Sequence, residues 1–255
     1  MPFKVGNPGC ACCSCGCYPF DNSAVDYNGA LDLTATSASY DASVKKLGTH
    51  SASFNATPHY EHPHHACFTP AIGNTMRVWF WLRTSNSGTP DPTKGFAGVV
   101  TKGEVNFAYG SPPTITLTGE WGVFHRPATA SGPELQFVYK STTVNLGVMA
   151  SIGLLLNKWY FFHLEINRVA STYAVHSYNS TDGNALPTYS GSLSGTLVAQ
   201  PTVPMRIGKN SAPTGELLGY NGGSFWLDNV GFSKEAGSVS TLYNSGSGQA
   251  CPATG

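Results

Sequence analysis

Alternation of apolar and polar residues is the dominant pattern along this chain. In the segment 76–84 one face carries Met76, Val78, Phe80 and Leu82, and the other carries Arg77, Trp79, Trp81 and Arg83. Successive side chains of a β-strand point to opposite faces, so this segment is predicted to be a strand. Its aliphatic face is expected in the core.

The same alternation returns in aromatic-rich segments nearer the C-terminus. These are 158–168, its neighbour 173–178, and 223–232. Shorter candidate strands, separated by Gly, Pro, Asn and Ser clusters, are 96–101, 105–109, 114–117, 121–125, 134–139 and 205–208. No segment keeps a helical period, apart from a short turn expected around 239–242. The pattern predicts an all-β fold, a two-sheet antiparallel jelly-roll sandwich.

The N-terminal residues differ from the rest of the chain. Five of the seven cysteines lie at Cys10, Cys12, Cys13, Cys15 and Cys17, in a stretch without periodicity. We therefore expect a short Cys-rich tail over residues 1–17 and one sandwich domain over 18–250.

The composition limits the classes of partner that the protein is expected to bind. Charged residues make up 11% of the 255, net charge is zero, and Lys and Arg are scattered; an average globular protein has about 25% charged residues. No basic footprint for nucleic acid and no bilayer-spanning apolar run is present, and no signal peptide is seen. A low-charge surface of this kind is expected outside a cell or on a particle surface.

Several segments together resemble a known family. The segments 18–29, 46–55, 76–84, 158–168 and 223–232, with the closing Leu-Tyr-Asn-Ser-Gly at 242–246, are similar in order and spacing to motifs of the laminin-G-like branch of the concanavalin A-like lectin/glucanase superfamily. The resemblance implies a jelly-roll sandwich. It leaves the function open, because glycosidases, lectins, adhesive modules and coat proteins share that fold.

Catalytic residues are not expected. A hydrolase of this superfamily carries closely spaced carboxylates, yet no two Asp or Glu residues here lie at i, i+2 spacing. His125, His163 and His176 are candidate general bases, but hydrogen-bonded strand histidines are the favoured interpretation. We therefore expect that the protein is not an enzyme.

Calcium is the cofactor that the resemblance implies. Family members often hold an ion between the first loop and the last strand, which corresponds here to Asp21, Asp26 and Asp228, with Asn22 or Asn28 as helpers. The alternative is that Asp21 and Asp26 form Asx turns.

The cysteines and histidines offer a second kind of site. The tail cysteines, with Cys251, are predicted to form disulfides or to bind a soft metal, and an odd total leaves at least one thiol free, metal-bound or paired with another chain. Disulfides are favoured for a protein that works outside a cell. A segment with His62, His64, His65 and Cys67 is a candidate zinc, copper or nickel site, against the simpler alternative of a solvated surface loop.

A carbohydrate site is the remaining candidate. It is predicted at Trp121, Phe124, His125 and Arg126, with Tyr109 and Tyr139 as neighbours. Core filling by Trp121 is the alternative.

These observations favour a non-catalytic structural or adhesion protein of a virion or appendage surface. Its expected partners are glycans and other subunits, or further copies of itself joined through the tail, with no nucleic acid and no membrane insertion. A secreted carbohydrate-binding lectin module is the alternative, and a glycoside hydrolase is the least favoured.

Overall fold

The computed structural model describes residues 15–27, 29, 31–54, 59–70, 75–85, 97–103, 105–108, 114–129, 132–180, 185–209 and 225–234. Several features predicted from the sequence lie outside these residues, namely Cys10, Cys12, Cys13, Cys251, Tyr109, Asn28, the turn at 239–242 and the closing motif at 242–246.

The predicted all-β sandwich is confirmed. In the part of the chain that the structure describes, sheet A has a path of seven strands, in the spatial order β15 (Tyr189–Ser192), β14 (Thr172–Asn179), β13 (Trp159–Asn167), β6 (Thr75–Thr84), β17 (Phe225–Ser233), β4 (Ser51–Phe54) and β3 (Tyr40–Asp41). An eighth strand, β1 (Gly16–Tyr18), pairs with β17 beside β4. All of these pairings are antiparallel.

Sheet B packs against sheet A and contains seven strands within the described residues. Their order is β12 (Gly147–Gly153), β11 (Gly132–Tyr139), β10 (Trp121–Thr129), β7 (Ala97–Lys102), β16 (Met205–Ile207), β5 (His59–His62) and β2 (Thr34–Thr36). A separate hairpin joins β8 (Val105–Ala108) to β9 (Thr114–Leu117). The part of the chain that the structure describes has one short 3-10 helix, Ala66–Phe68, and none of its helices has the length and apolarity to span a bilayer.

The main hydrophobic core lies between the sheets, and the alternation along β6 explains it. Met76, Val78, Phe80 and Leu82 all belong to this core, as predicted. Sheet B contributes Trp121, Val123, Leu135 and Phe137 from β10 and β11. Removal of so much apolar surface from water is the main stabilising contribution to the fold.

A disulfide fixes the N-terminal segment to this sandwich. Cys15 is bonded to Cys67, which follows β5, and Cys17 is disulfide-bonded as well. Residues 16 and 17 belong to β1, where Cys17 lies opposite Gly231 of β17. The predicted domain boundary at residue 18 stays a prediction, but the first described strand begins before it.

Candidate functional site

The face of sheet A that points away from sheet B, called the outer face below, carries an ordered array of aromatic and ionisable side chains. The pairing registers of β17, β6, β13 and β14 align them in rows across the strands. The rows are Trp226, Arg83 and Trp159; Asp228, Trp81, Phe161 and Tyr178; Gly231, Trp79, His163 and His176; and Ser233, Arg77, Glu165 and Ala174.

A register shift in β17 makes room for this array. The shift falls between Asp228 and Gly231, and Asn229 there has a positive φ of 51°. A Cβ at Gly231 would lie 2.2 Å from Cζ2 of Trp79, so only glycine leaves space for that indole. Trp79, Trp81 and Phe161 then form a second, smaller hydrophobic cluster on the outer face.

The two rows that contain Trp79 and Arg77 are buried along β17 and β6 and at His163, and are partly exposed at His176, Glu165 and Ala174. His163 is 1% exposed, and neither ring nitrogen has a hydrogen-bond partner among the described residues. Burial lowers the pKa of His163 to about 3, with smaller contributions from His176 and Arg77. Arg77 Nε donates to Glu165 Oε2 at 2.8 Å. With so little access to solvent, His163 and Arg77 serve the stability of the fold rather than ligand contact.

Side chains of neighbouring loops cover the row that contains Trp81. The Lys46 ammonium lies 4.6 Å from the centroid of the Trp81 ring, and Leu47 and Tyr27 pack against the same cluster. Lys46 and Leu47 are held in place because their backbone N–H groups both donate to Asp228 Oδ2 at 2.8 Å. This row therefore offers little free aromatic surface.

The first row remains partly exposed, and we call Trp226, Arg83 and Trp159 the tryptophan–arginine row. The Arg83 guanidinium lies over Trp226, 5.6 Å from the ring centroid. Trp226 Nε1 donates to Asp41 Oδ2 at 3.0 Å, and Arg83 Nη2 donates to Asn157 Oδ1 at 3.3 Å. With strands about 4.8 Å apart, the backbones of Trp226 and Trp159 lie about 10 Å from each other, on either side of Arg83.

The residues predicted to bind carbohydrate do not form an open site. Trp121, Phe124 and His125 are at most 1% exposed. Trp121 lies in the core, where its indole N–H donates to the Phe68 carbonyl at 2.9 Å, so no ring face is left for a sugar. The stacking prediction is therefore wrong for Trp121, and core filling is the correct interpretation.

The other members of that predicted group are occupied in similar ways. Phe124 packs against Leu117 and Val138 on the far side of sheet B. Arg126 Nη1 donates to Glu134 Oε1 at 2.8 Å, while Tyr139 is buried and its hydroxyl accepts from Ser194 N. Burial lowers the pKa of His125 to about 3, so its ring stays neutral.

The three aspartates of the predicted calcium site are only partly brought together. Asp21 Oδ1 accepts hydrogen bonds from Thr49 and from the backbone N–H of His50, in the same loop that Asp228 binds. Asp26 instead accepts from the backbone N–H groups of Cys17 and Leu31. Asp26 therefore has a structural role in its own turn.

Of the two aspartates that bind the 46–50 loop, Asp21 and Asp228, the second has the more unusual environment. It is 1% exposed, and its Oδ1 atom is buried without a hydrogen-bond partner from the residues that the structure describes. Burial raises the pKa of Asp228 to about 7, the negative charge of Asp21 adds to the rise, and the N–H donors of Leu47 and Lys46 oppose it. A cation beside Asp228 and Asp21 would relieve both penalties, so the residues fit an ion in part.

The predicted soft-metal site is not assembled. Cys67 is in a disulfide with Cys15, so its sulfur is not available as a thiolate ligand. His62 Nδ1 lies 2.6 Å from the Pro63 carbonyl, and His65 Nδ1 accepts from Cys67 N. Among the described residues, no group of three or more His, Cys, Asp or Glu is arranged to hold a metal ion.

The tryptophan–arginine row was missed by the sequence analysis, although a signal was present. Alternation had already placed Arg83 on the face of β6 opposite the core, and Trp159 and Trp226 open two aromatic-rich strands. What the sequence lacked was the register that sets these three residues side by side.

Comparison with known proteins identifies the fold and nothing narrower. No family model and no curated protein matches the chain. Among solved structures, it is similar to botulinum neurotoxin type C, whose cell entry depends on interaction with two ganglioside molecules (TM-score 0.56, 11% identity, 91% of this chain and 50% of that one). The binding domain of serotype C1 gives the same TM-score at 10% identity and the same coverage.

A phage protein with the same fold has an enzymatic activity. It is the carbohydrate esterase vb_24B_21 from the Shiga toxin-encoding bacteriophage phi24B (TM-score 0.50, 9% identity, 85% of this chain and 95% of that one). The prediction that the protein is not an enzyme is therefore wrong as an exclusion, because it was based on the absence of closely spaced carboxylates, and a protein of this fold is a carbohydrate esterase. The chain spans about half the length of the two toxin structures.

Proposed function

We propose that the protein is a lectin-like glycan-binding module and that the tryptophan–arginine row is its binding surface. The observation that carries the proposal is the pair of partly exposed indoles, Trp159 and Trp226, on adjacent parts of one sheet face. Apolar faces of sugar rings pack on such indoles, while nearby polar groups fix their orientation.

The row is held in place before a ligand arrives. Trp226 is oriented by its hydrogen bond to Asp41, and Trp159 packs against the buried cluster of Trp79, Trp81 and Phe161. Side chains already fixed in one rotamer lose little entropy when a ligand binds. Ganglioside interaction in botulinum neurotoxin type C and carbohydrate chemistry in the phage esterase give this proposal a precedent within the fold.

Glycan-array screening followed by calorimetry on the best ligand tests the proposal. Trp159→Ala and Trp226→Ala are each expected to weaken binding by about tenfold or more, since loss of an aromatic contact of roughly 1.4 kcal/mol corresponds to that factor. Trp226→Phe should retain most of the affinity. Val148→Ala, which changes an apolar side chain 52% exposed on sheet B, is the control. Equal binding by all four variants would contradict the proposal.

We propose further that the module works on the surface of a particle or appendage, outside the reducing cytosol. The disulfides of Cys15 and Cys17 support an oxidising environment. In that setting Cys10, Cys12 and Cys13 are candidates for cross-links between subunits. Non-reducing electrophoresis of the native material, with a Cys10/Cys12/Cys13→Ser variant as control, should give cross-linked species that the variant lacks; monomer alone would argue against cross-linking.

Calcium remains a proposal with a narrower site. Asp21 and Asp228 are the carboxylates that would hold the ion, and its role there would be to fix the loop at 46–50 rather than to act in chemistry. Calcium is expected to raise the melting temperature at pH 8 relative to EDTA in the native protein but not in Asp228→Asn. No calcium-dependent difference in the native protein would exclude the site.

A further inference from the structure

The arginines in the strands of this protein divide into two groups. Three of them form an ion pair with a glutamate on a neighbouring strand, at N–O distances of 2.7 to 2.8 Å; the pairs are Arg77 with Glu165, Arg126 with Glu134, and Arg206 with Glu61. Arg83 is the exception. No carboxylate of the described residues lies within 4.0 Å of its guanidinium nitrogens.

Arg83 has aromatic residues where the other three arginines have a glutamate. Its neighbours on the two adjacent strands are Trp226 and Trp159. Its only hydrogen-bond acceptor is Asn157 Oδ1, a neutral amide oxygen, among the residues the structure describes. The Nε atom of Arg83 is buried and has no partner within the described part of the chain.

This arrangement leaves a permanent positive charge only partly compensated. A guanidinium stays protonated at all relevant pH values, and partial removal from water without a counter-charge is costly. The cation–π contact with Trp226 offsets part of that cost. A carboxylate brought in by a ligand would supply the partner that the other three strand arginines have within the chain.

We propose that the tryptophan–arginine row recognises an acidic saccharide, with Arg83 binding the sugar carboxylate between the two indoles. The inference rests on the proposed glycan-binding function and deepens it by naming the ligand class. Charge-assisted hydrogen bonds from a guanidinium to a carboxylate are the strong and geometrically selective ones. The ring faces of Trp159 and Trp226 then contact the apolar faces of sugar units on either side of the acidic group.

The test compares acidic saccharides with their neutral counterparts by calorimetry. The first pair is a uronic acid hexamer with free carboxylates and the same hexamer with methyl-esterified carboxylates. The second pair is sialyllactose and lactose. The use of both pairs distinguishes uronic acids from sialic acid as the source of the sugar carboxylate. The native protein should bind at least one free acid about 10- to 100-fold more tightly than its neutral counterpart, the range expected for hydrogen bonds to a charged group.

Variants show which residue produces the preference for acidic over neutral sugars. Arg83→Gln should remove this preference, because the affinity for the acid falls to that for the neutral sugar. Arg83→Lys should retain part of the preference. Arg206→Gln, which breaks an arginine–glutamate pair on sheet B, is the control and should leave it unchanged. Melting curves report folding, and the esterified ligand provides the comparison on the native protein even where an Arg83 variant does not fold.

The possible outcomes separate this inference from the proposed function. Binding of neutral sugars as tightly as of acids, or undiminished selectivity in Arg83→Gln, would overturn the role of Arg83 while leaving a glycan-binding module. Absence of binding to every saccharide would overturn both.

Discussion

Replacement of His163 by phenylalanine should make the protein more resistant to acid. The imidazole is buried on the outer face of sheet A, and neither nitrogen has a hydrogen-bond partner in the described ranges of the chain. Phenylalanine keeps a planar aromatic ring at this position without burying a polar group. At pH 7.5 the variant should therefore be as stable as the native protein or more so, because an unsatisfied polar group is removed.

The size of this effect follows from the pKa of His163. Burial lowers the pKa of His163 from 6.5 in the unfolded chain to about 3 in the folded state. Between these two pH values the unfolded state therefore binds one proton more than the folded state. Stability from the neutral imidazole is therefore complete above pH 6.5 and is lost as the pH falls toward 3, by about 1.4 kcal/mol per pH unit. Between pH 7.5 and pH 4 the variant should avoid a loss of about 3 kcal/mol.

Urea unfolding followed by tryptophan fluorescence at pH 4, 5, 6 and 7.5 measures this difference. The control is His176→Phe on the adjacent strand, whose ring lies 5.9 Å from that of His163 but is only partly buried. We expect a smaller change in pH dependence for that variant. If His163→Phe lost stability with acid as steeply as the native protein, the ring would not be the buried, neutral group described above.

Three further predictions concern stability. Asp228→Asn keeps an oxygen acceptor and removes a carboxyl group whose pKa is raised to about 7, so that the folded state holds its proton from about pH 4 to 7. In EDTA at pH 8 the variant should therefore be more stable than the native protein by up to about 4 kcal/mol. Equal urea midpoints for the two proteins would refute this. The double variant Cys15→Ala/Cys67→Ala opens a link across 52 residues and should lose about 4 kcal/mol in urea unfolding; a loss below 1 kcal/mol would be contrary to the expectation. Gly231→Ala places a Cβ against Trp79 and should cost about 1–3 kcal/mol, seen as a lower melting temperature, whereas an unchanged value would show that the indole can move.

The sequence predicted the fold better than the site, and particular residues show why. Alternation is a local property, so the two faces of β6 and the core position of Met76, Val78 and Phe80 followed from it directly. Trp121 also sits in an alternating segment, yet nothing local tells which face is buried when both carry aromatic residues. Its position in the core depends on sheet B packing over it.

Pairings between distant segments were beyond the sequence for the same reason. The link from Cys15 to Cys67 requires β1 to lie beside β17, which brings the N-terminal segment to the region that follows β5. The row of Trp226, Arg83 and Trp159 likewise depends on two strand registers. Neither spacing nor composition encodes a register, and the cysteine count left many pairings open.

The position of β17 inside sheet A has a consequence for how the protein folds. The last described strand pairs with β6 on one side and with β4 and β1 on the other, so it separates the two parts of the sheet made earlier in the chain. Until Phe225–Ser233 has left the ribosome, β6 keeps an unpaired edge beside Trp79 and Trp81. Such a topology of distant contacts folds slowly and only after residues 225–233 have been synthesised. Chains ending before residue 225 should therefore aggregate through that open edge rather than form a smaller stable domain.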